Sequence, residues 1–324
     1  MATYEWQWPA VGHAKVIEFL ERARRNNKIA QTYIFSGRDE LGKTALALAF
    51  AHNLQGGRDG FDSDLQILER EPDKKSITIA QAREFIKKLR LSSFLNSYKI
   101  GIVKEADLLS EEAKSALLKT LEEPQDMVII ILLVPDEGDL PATILSRSQV
   151  LHFQPVPAAL MYDYLIENYG AGRALAKDVA NLALGRPLVA LHWLENPEEY
   201  AKHLEKAALW LSALPLDVNG RLDILDKVFS DRTWSALAVR SAADILDLAE
   251  GLSRDLFLLS LGQPDRLQHS AVQKELERAL GDLEQKNGGG PSILKQLKLI
   301  AQAREYLGAN VNPRLVLEQL IINL

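Results

Sequence analysis

The residues best equipped for chemistry lie near the start of the chain, in Gly37-Arg38-Asp39-Glu40-Leu41-Gly42-Lys43-Thr44. Gly37 and Gly42 bracket four variable positions and are followed by Lys and Thr, the pattern of a phosphate-gripping loop. Glycines let successive backbone N–H groups turn inward around phosphate oxygens, and a helix starting at the second glycine adds its partial positive charge. Lys43 is placed to reach β and γ phosphates, and Thr44 to offer a hydroxyl to Mg²⁺. The flanks agree with that chemistry: Thr32–Phe35 reads as a buried strand and Lys43–Leu54 as a helix.

Gripping phosphate is half of an ATPase. Hydrolysis also needs a carboxylate at the tip of a neighbouring apolar strand to hold Mg²⁺, and usually a second acid to polarise water. The strand Ile100–Val103 runs instead into Lys104-Glu105-Ala106-Asp107, with a cation where the metal-binding acid belongs. Glu105 then either keeps the place of the water-polarising acid or is, with Lys104, an ordinary polar residue at a strand end. The hydrolytic site is incomplete under both readings.

The elements that must carry these residues are legible in the apolar patterning. Runs rich in β-branched residues recur at Thr32–Phe35, Leu65–Leu68, Ile100–Val103, Val128–Val134 and Gln149–Phe153, with helical patterns between most of them. That alternation predicts a parallel five-stranded sheet with helices on both faces. Val128–Val134 has no polar alternation, as expected of a central strand buried on both sides. Thr78 with Gln81 spells a capping box, and Ala82, Phe85, Ile86 and Leu89 share one helical face. Ser110 caps a further helix whose buried stripe is Ala113, Leu117 and Leu121 and which Pro124 ends. Beyond Pro155-Val156-Pro157 only helical patterns remain, punctuated by Gly185-Arg186-Pro187, Asn196-Pro197, Leu214-Pro215 and Gly262-Gln263-Pro264 and by the flexible run Gly288-Gly289-Gly290-Pro291. The expected division is 1–157, 158–208 and 209–324.

Composition narrows the function. The 38 basic and 44 acidic side chains leave a net charge of −6, so no global positive field draws the chain to nucleic acid or anionic membrane. The absence of cysteine rules out disulfides and Cys-based zinc sites and suits a reducing cytosol. No basic-then-apolar signal pattern opens the chain, and the apolar run Met127–Pro135 is far short of the ~20 residues that span a bilayer. Arg22, Arg24, Arg25 and Lys28 form a basic helix face that either touches phosphate or a partner's acids or is simply solvated. Trp6 and Trp8 pack either under a nucleotide base or as a staple on the N-terminus.

Two segments are specific enough to suggest a family. Leu117-Leu118-Lys119-Thr120-Leu121-Glu122-Glu123-Pro124 and Thr143-Ile144-Leu145-Ser146-Arg147, preceded by the acid-Ala-Asp turn Glu105-Ala106-Asp107, resemble the clamp-loader branch of the AAA+ ATPases. Val11-Gly12-His13 and Asn310-Val311-Asn312-Pro313-Arg314 extend the resemblance toward both ends, although Gln31-Thr32 replaces the usual His-Ala. The resemblance implies an AAA+ P-loop domain over 1–157, a small helical lid over 158–208 and a helical collar over 209–324. Within that branch the chain resembles the delta-prime type of subunit more than the gamma/tau type. Lys104, the apolar Val134-Pro135 and Leu188 stand where gamma/tau subunits keep a metal-binding acid, a polar sensor and an Arg.

What this resemblance implies is a bacterial, cytoplasmic subunit of DNA polymerase III. It would assemble with gamma/tau and delta subunits and reach the sliding clamp and primer-template DNA through the complex. ATP or ADP is the expected ligand of Gly37, Gly42, Lys43 and Thr44, with Mg²⁺ holding impaired and little ATPase activity alone. Arg147 is the expected arginine finger, a planar cation lent to a neighbour's ATP; otherwise it is a surface Arg before a strand, the family's Ser-Arg-Cys reading Ser-Arg-Ser here. The four-Cys zinc module that often follows the P-loop helix is missing, with Gly56–Asp62 in its place. Two other functions stay open: a gamma/tau-like ATPase motor using Glu105 or Asp107 in a shifted register, and a stand-alone AAA+ factor in DNA repair or helicase loading.

Overall fold

A computed structural model describes residues 6–8, 11–56, 64–91, 98–123, 127–231, 233–287 and 290–324. The expected zinc-module position from Gly57 onward, the helix-ending Pro124, and Gly288-Gly289 lie outside the described residues. The chain divides into two compact units, residues 1–164 with 185–189, and residues 165–184 with 190–324.

The first unit is built on strands β1 (Thr32–Ser36), β2 (Leu65–Leu68), β3 (Lys99–Val103), β4 (Val128–Val134) and β5 (Gln149–His152). They form one sheet in the order β2-β3-β4-β1-β5, with every pairing parallel. Alternate residues of each strand feed two separate cores, as the period of two requires. Ile34, Val103, Ile130, Leu132 and Val134 pack on one face with Ala82, Phe85, Leu89, Ala113, Leu117 and Leu121. These belong to α3 (Ile79–Leu89) and α4 (Glu111–Glu122). Tyr33, Phe35, Ile100, Ile102, Ile129, Ile131 and Leu133 face the other way, against Val16, Leu20, Leu46 and Phe50. Those come from α1 (Ala14–Arg25) and α2 (Lys43–Leu54). β4 is therefore apolar at every position because both of its faces are covered.

Local signals behave as the sequence predicts. The Thr78 hydroxyl accepts the Gln81 N–H while the Gln81 side chain accepts the Thr78 N–H, closing the capping box. Ser110 caps α4 by accepting from Ala113, and α4 ends at Glu122. Trp6 and Trp8 pack against Phe50 of α2, and the Trp8 indole donates to Glu21 at 2.9 Å. Of the two expectations for these tryptophans, the staple is the observed one.

After α5 (Ala142–Leu145) and β5 the rest of the chain is helical: α6 (Ala158–Tyr169), α7 (Arg173–Leu182), α8 (Pro187–Glu195), α9 (Pro197–Ala213), α10 (Val218–Val228), α11 (Ala236–Ser260), α12 (Gln273–Asn287), α13 (Gly290–Gly308) and α14 (Pro313–Asn323). α9 runs without a break through position 208. α11 and α13 form the centre of the second unit, whose core includes Leu246, Leu252, Leu276, Ile293 and Leu317. The Asn312-Pro313-Arg314 motif has a local purpose here. The Asn312 side chain accepts from the Arg314 N–H at 2.9 Å, Pro313 starts the helix without a donor to waste, and Arg314 ties α14 to Asp226 and the Phe229 carbonyl of the α10 end.

Two imidazoles meet in this helical core, His203 stacked on His269 with centroids 5.5 Å apart. Burial, then the neighbouring His269 and Lys206, push the His203 pKa down from 6.5 to about 4. Below pH 6.5 an unfolded chain takes up a proton at this site that the folded chain refuses until about pH 4. The His203 contribution is therefore complete above 6.5 and is lost as pH falls toward 4, by at most about 3 kcal/mol. Denaturant titrations at pH 7 and 4.5 are expected to show a smaller acid loss for His203→Phe than for the native chain; equal losses would contradict the assignment.

Candidate functional site

The phosphate loop occupies the carboxyl end of β1, next to β4, where strand order reverses and open α/β sheets place their ligands. Gly37 has φ +151°, and a β-carbon there would lie 2.6 Å from the Phe153 carbonyl oxygen, so no larger residue fits. Gly42, at φ +92°, is the N-cap of α2 and supplies no side-chain cap, which leaves the first-turn N–H groups of that helix for an anion. The Thr44 hydroxyl makes no hydrogen bond to any described residue. These features fit a phosphate.

Lys43 is buried beneath the loop. Its ammonium donates to the carbonyls of Gly37, of Arg38 at 3.2 Å and of Val134 at 3.1 Å, and sits 3.4 Å from Asp39. Burial lowers its pKa, and Asp39 and Asp107 oppose that shift. Other contacts hold the loop's outline. His13 donates from Nε2 to the Leu41 carbonyl at 2.7 Å and lies against Phe153, burial lowering its pKa. Glu40, itself at φ +64°, pairs with Arg186 at 3.1 Å, and its carbonyl accepts the Leu188 N–H. Ser36 donates to Glu137.

The end of β3 separates the three polar residues singled out there. Lys104 pairs with Glu69 at 2.8 Å, beyond the end of β2 and away from the loop. Glu105 is exposed, adopts φ +48° and lies 3.4 Å from Arg70. Asp107 faces the loop instead. Its Oδ1 is buried and meets no partner among the described residues, and burial together with Asp139, Asp39 and Glu105 raises its pKa. Of the acids after β3, the one on the loop side is thus two positions past Glu105, inside a cluster of like charges. The Val134 side chain is buried in the α3/α4 core and offers the loop only its carbonyl, and Leu188 is 45% exposed with no charge to give. Among the described residues no group of three or more His, Asp or Glu side chains is arranged to hold a metal.

Arg147 lies elsewhere. It follows the one-turn helix α5 and precedes β5, whose first residue Gln149 stands opposite Tyr33 near the start of β1. β1 must be traversed from that point to reach Gly37, so Arg147 and the phosphate loop belong to opposite ends of the sheet. Ser146 explains its place beside Arg147: the hydroxyl donates to the Thr143 carbonyl at 3.1 Å and accepts from Arg147 Nη1 at 3.3 Å. Arg147 Nη1 also reaches the Thr143 carbonyl at 3.0 Å, and Nη2 lies 3.2 Å from Glu122. Glu122 is a residue the motif reading did not single out, although it stands within Leu121-Glu122-Glu123-Pro124.

Comparisons with known proteins can be set beside this geometry. The family model described as DNA polymerase III, delta subunit, matches residues 12–157, which contain both the phosphate loop and Arg147. The DNA polymerase III subunit delta' of Bacillus subtilis is 24% identical over 96% of this chain and 95% of its own length. That of Haemophilus influenzae is 34% identical over 56% of this chain and 59% of its own. The chain is similar to the clamp-loader subunits of DNA polymerase III. The tau/gamma subunit of H. influenzae is 29% identical over 48% of this chain, and that match spans only 25% of the relative. Among solved structures, a gamma subunit-related protein of Thermotoga maritima aligns with a TM-score of 0.53 at 19% identity, over 93% of this chain and 97% of that one, and confirms the AAA+ fold. No helix among the described residues is long and apolar enough to cross a membrane.

Proposed function

We propose that the chain is a delta-prime-like subunit of the clamp loader, assembling with gamma/tau and delta subunits to load the sliding clamp in the bacterial cytoplasm. In this reading residues 158–208 act as lid, 209–324 as collar, and Arg147 lends its charge to the ATP of a neighbouring subunit. One observation carries it: Lys104, at the end of β3, pairs with Glu69 and offers the loop no metal-binding acid, while Arg147 is presented on an exposed turn at the other end of the sheet. The match to B. subtilis delta' over nearly its whole length supports the same choice. Gly37, Gly42, Lys43 and Thr44 would hold the phosphates of a bound nucleotide, whose triphosphate would supply the cleavable bond in an active relative.

A second reading has a specific observation behind it. Asp107, near Lys43 and with one buried oxygen that meets no partner among the described residues, is an acid that could serve a metal, and this favours a gamma/tau-like motor. Co-expression with gamma/tau and delta subunits separates the readings. The expected result is a stable hetero-oligomer on size exclusion, and no Mg²⁺-dependent ATP turnover by the isolated chain. Turnover abolished by Lys43→Ala would support the motor instead, and failure to associate would leave a stand-alone factor.

A further inference from the structure

Glu122 and Arg147 come from two separate motifs and meet on the surface of the first unit. The buried stripe of α4, through Ala113, Leu117, Thr120 and Leu121, fixes the last turn of that helix against the sheet. Glu122 is therefore aimed by packing. Its Oε1 lies 3.2 Å from Arg147 Nη2, and the two side chains remain 43% and 39% exposed.

We infer that Glu122 is a positioning residue for Arg147, holding the guanidinium in the orientation that an incoming anion requires; this rests on the finger role proposed above. A guanidinium has five N–H donors in a fixed plane. Three are engaged, by the Thr143 carbonyl, the Ser146 hydroxyl and Glu122. The two that remain, on Nε and Nη2, meet no acceptor among the described residues. A bidentate carboxylate would have consumed the pair of donors that phosphate recognition uses, whereas this single contact orients the plane and leaves donors free. Thr143 and Ser146 anchor only one nitrogen, around which a long side chain can still swing. Glu122 supplies the second anchor. Because the ion pair is half-exposed it is weak, and a more highly charged anion can displace it without a large penalty.

The test uses the reconstituted complex, comparing ATPase kinetics with the native chain, Glu122→Ala, Glu122→Gln, Arg147→Ala and the double variant Glu122→Ala/Arg147→Ala. Glu122→Ala is expected to lower kcat about tenfold with KM for ATP unchanged, the size of effect that misorientation of a charged group produces. Glu122→Gln keeps an oxygen acceptor and should retain most of the rate. In the Arg147→Ala background, loss of Glu122 should change nothing further. An equal drop in both backgrounds, a rate increase, or no effect beside an impaired Arg147→Ala overturns the inference. A native rate for Arg147→Ala overturns instead the finger assignment on which it rests.

Discussion

Arg147→Ala is expected to leave the chain folded and able to assemble, while hydrolysis at the neighbouring ATP site proposed to use it falls by on the order of 10³-fold or more. The expectation follows from where the side chain sits. Its anchors are a backbone carbonyl, a hydroxyl and a half-exposed carboxylate, so truncation leaves no buried group unsatisfied and costs little stability. In the proposed role its value would lie in a planar charge placed against developing negative charge, which only a neighbour could use, because this chain's own loop stands at the other end of β1. Single-turnover hydrolysis by the assembled complex, read alongside size exclusion, measures the effect. Normal turnover in an intact complex would show that Arg147 is a surface residue, and loss of assembly would show that it is structural.

Asp255→Ala should strike stability instead. Asp255 is fully buried in α11, where apolar residues are otherwise the rule, and its carboxylate accepts from the Gln268 N–H at 2.9 Å, the His269 N–H at 2.8 Å and His269 Nδ1 at 2.9 Å. These bonds fasten the loop after α11 onto the helix, with Gly251 close beneath His269. Alanine would strand three donors, the two of His269 buried and the Gln268 N–H partly so. Each unsatisfied buried group costs about 1–3 kcal/mol, and together a loss of roughly 3–5 kcal/mol is expected, a fall in Tm of about 10 °C for a unit of this size. Asp255→Asn keeps one carbonyl oxygen and should recover about half of that loss. Thermal unfolding followed by circular dichroism measures both. A change below about 1 kcal/mol for alanine would mean that water or a rearranged loop satisfies the donors.

The parts of the fold that were legible in the sequence are those fixed by local chemistry. β4 reads directly as a strand because a parallel central strand is apolar on both faces, and Thr78 and Ser110 announce helix starts because an N-cap needs its own acceptor. The phosphate loop is legible for the same reason, since only glycine tolerates Gly37's approach to Phe153. What stayed hidden depends on partners distant in the chain. That Lys104 turns to Glu69 follows from β2 lying beside β3. That Asp107, not Glu105, faces Lys43 follows from the left-handed turn at Glu105, which no motif records. Glu40 meeting Arg186, and Glu122 meeting Arg147, join residues whose spacing carries no period. Asp255 was visible only as an acid among Leu252, Leu256 and Ala249; its three donors come from a loop that the helical pattern does not describe.

The separation of Arg147 from Gly37 along β1 also constrains symmetry. Two copies related by a twofold axis can join these ends only as an antiparallel pair, each Arg147 end against the other's loop end, and such a pair is closed to a third subunit. Without that reciprocity, a contact between one subunit's Arg147 end and the next one's loop end is heterologous, and it leaves a loop end and an Arg147 end unspent at the two extremities of the array. An assembly using Arg147 in this way has a direction, and a terminal subunit that offers a finger while asking little of its own loop is the natural place for that direction to begin.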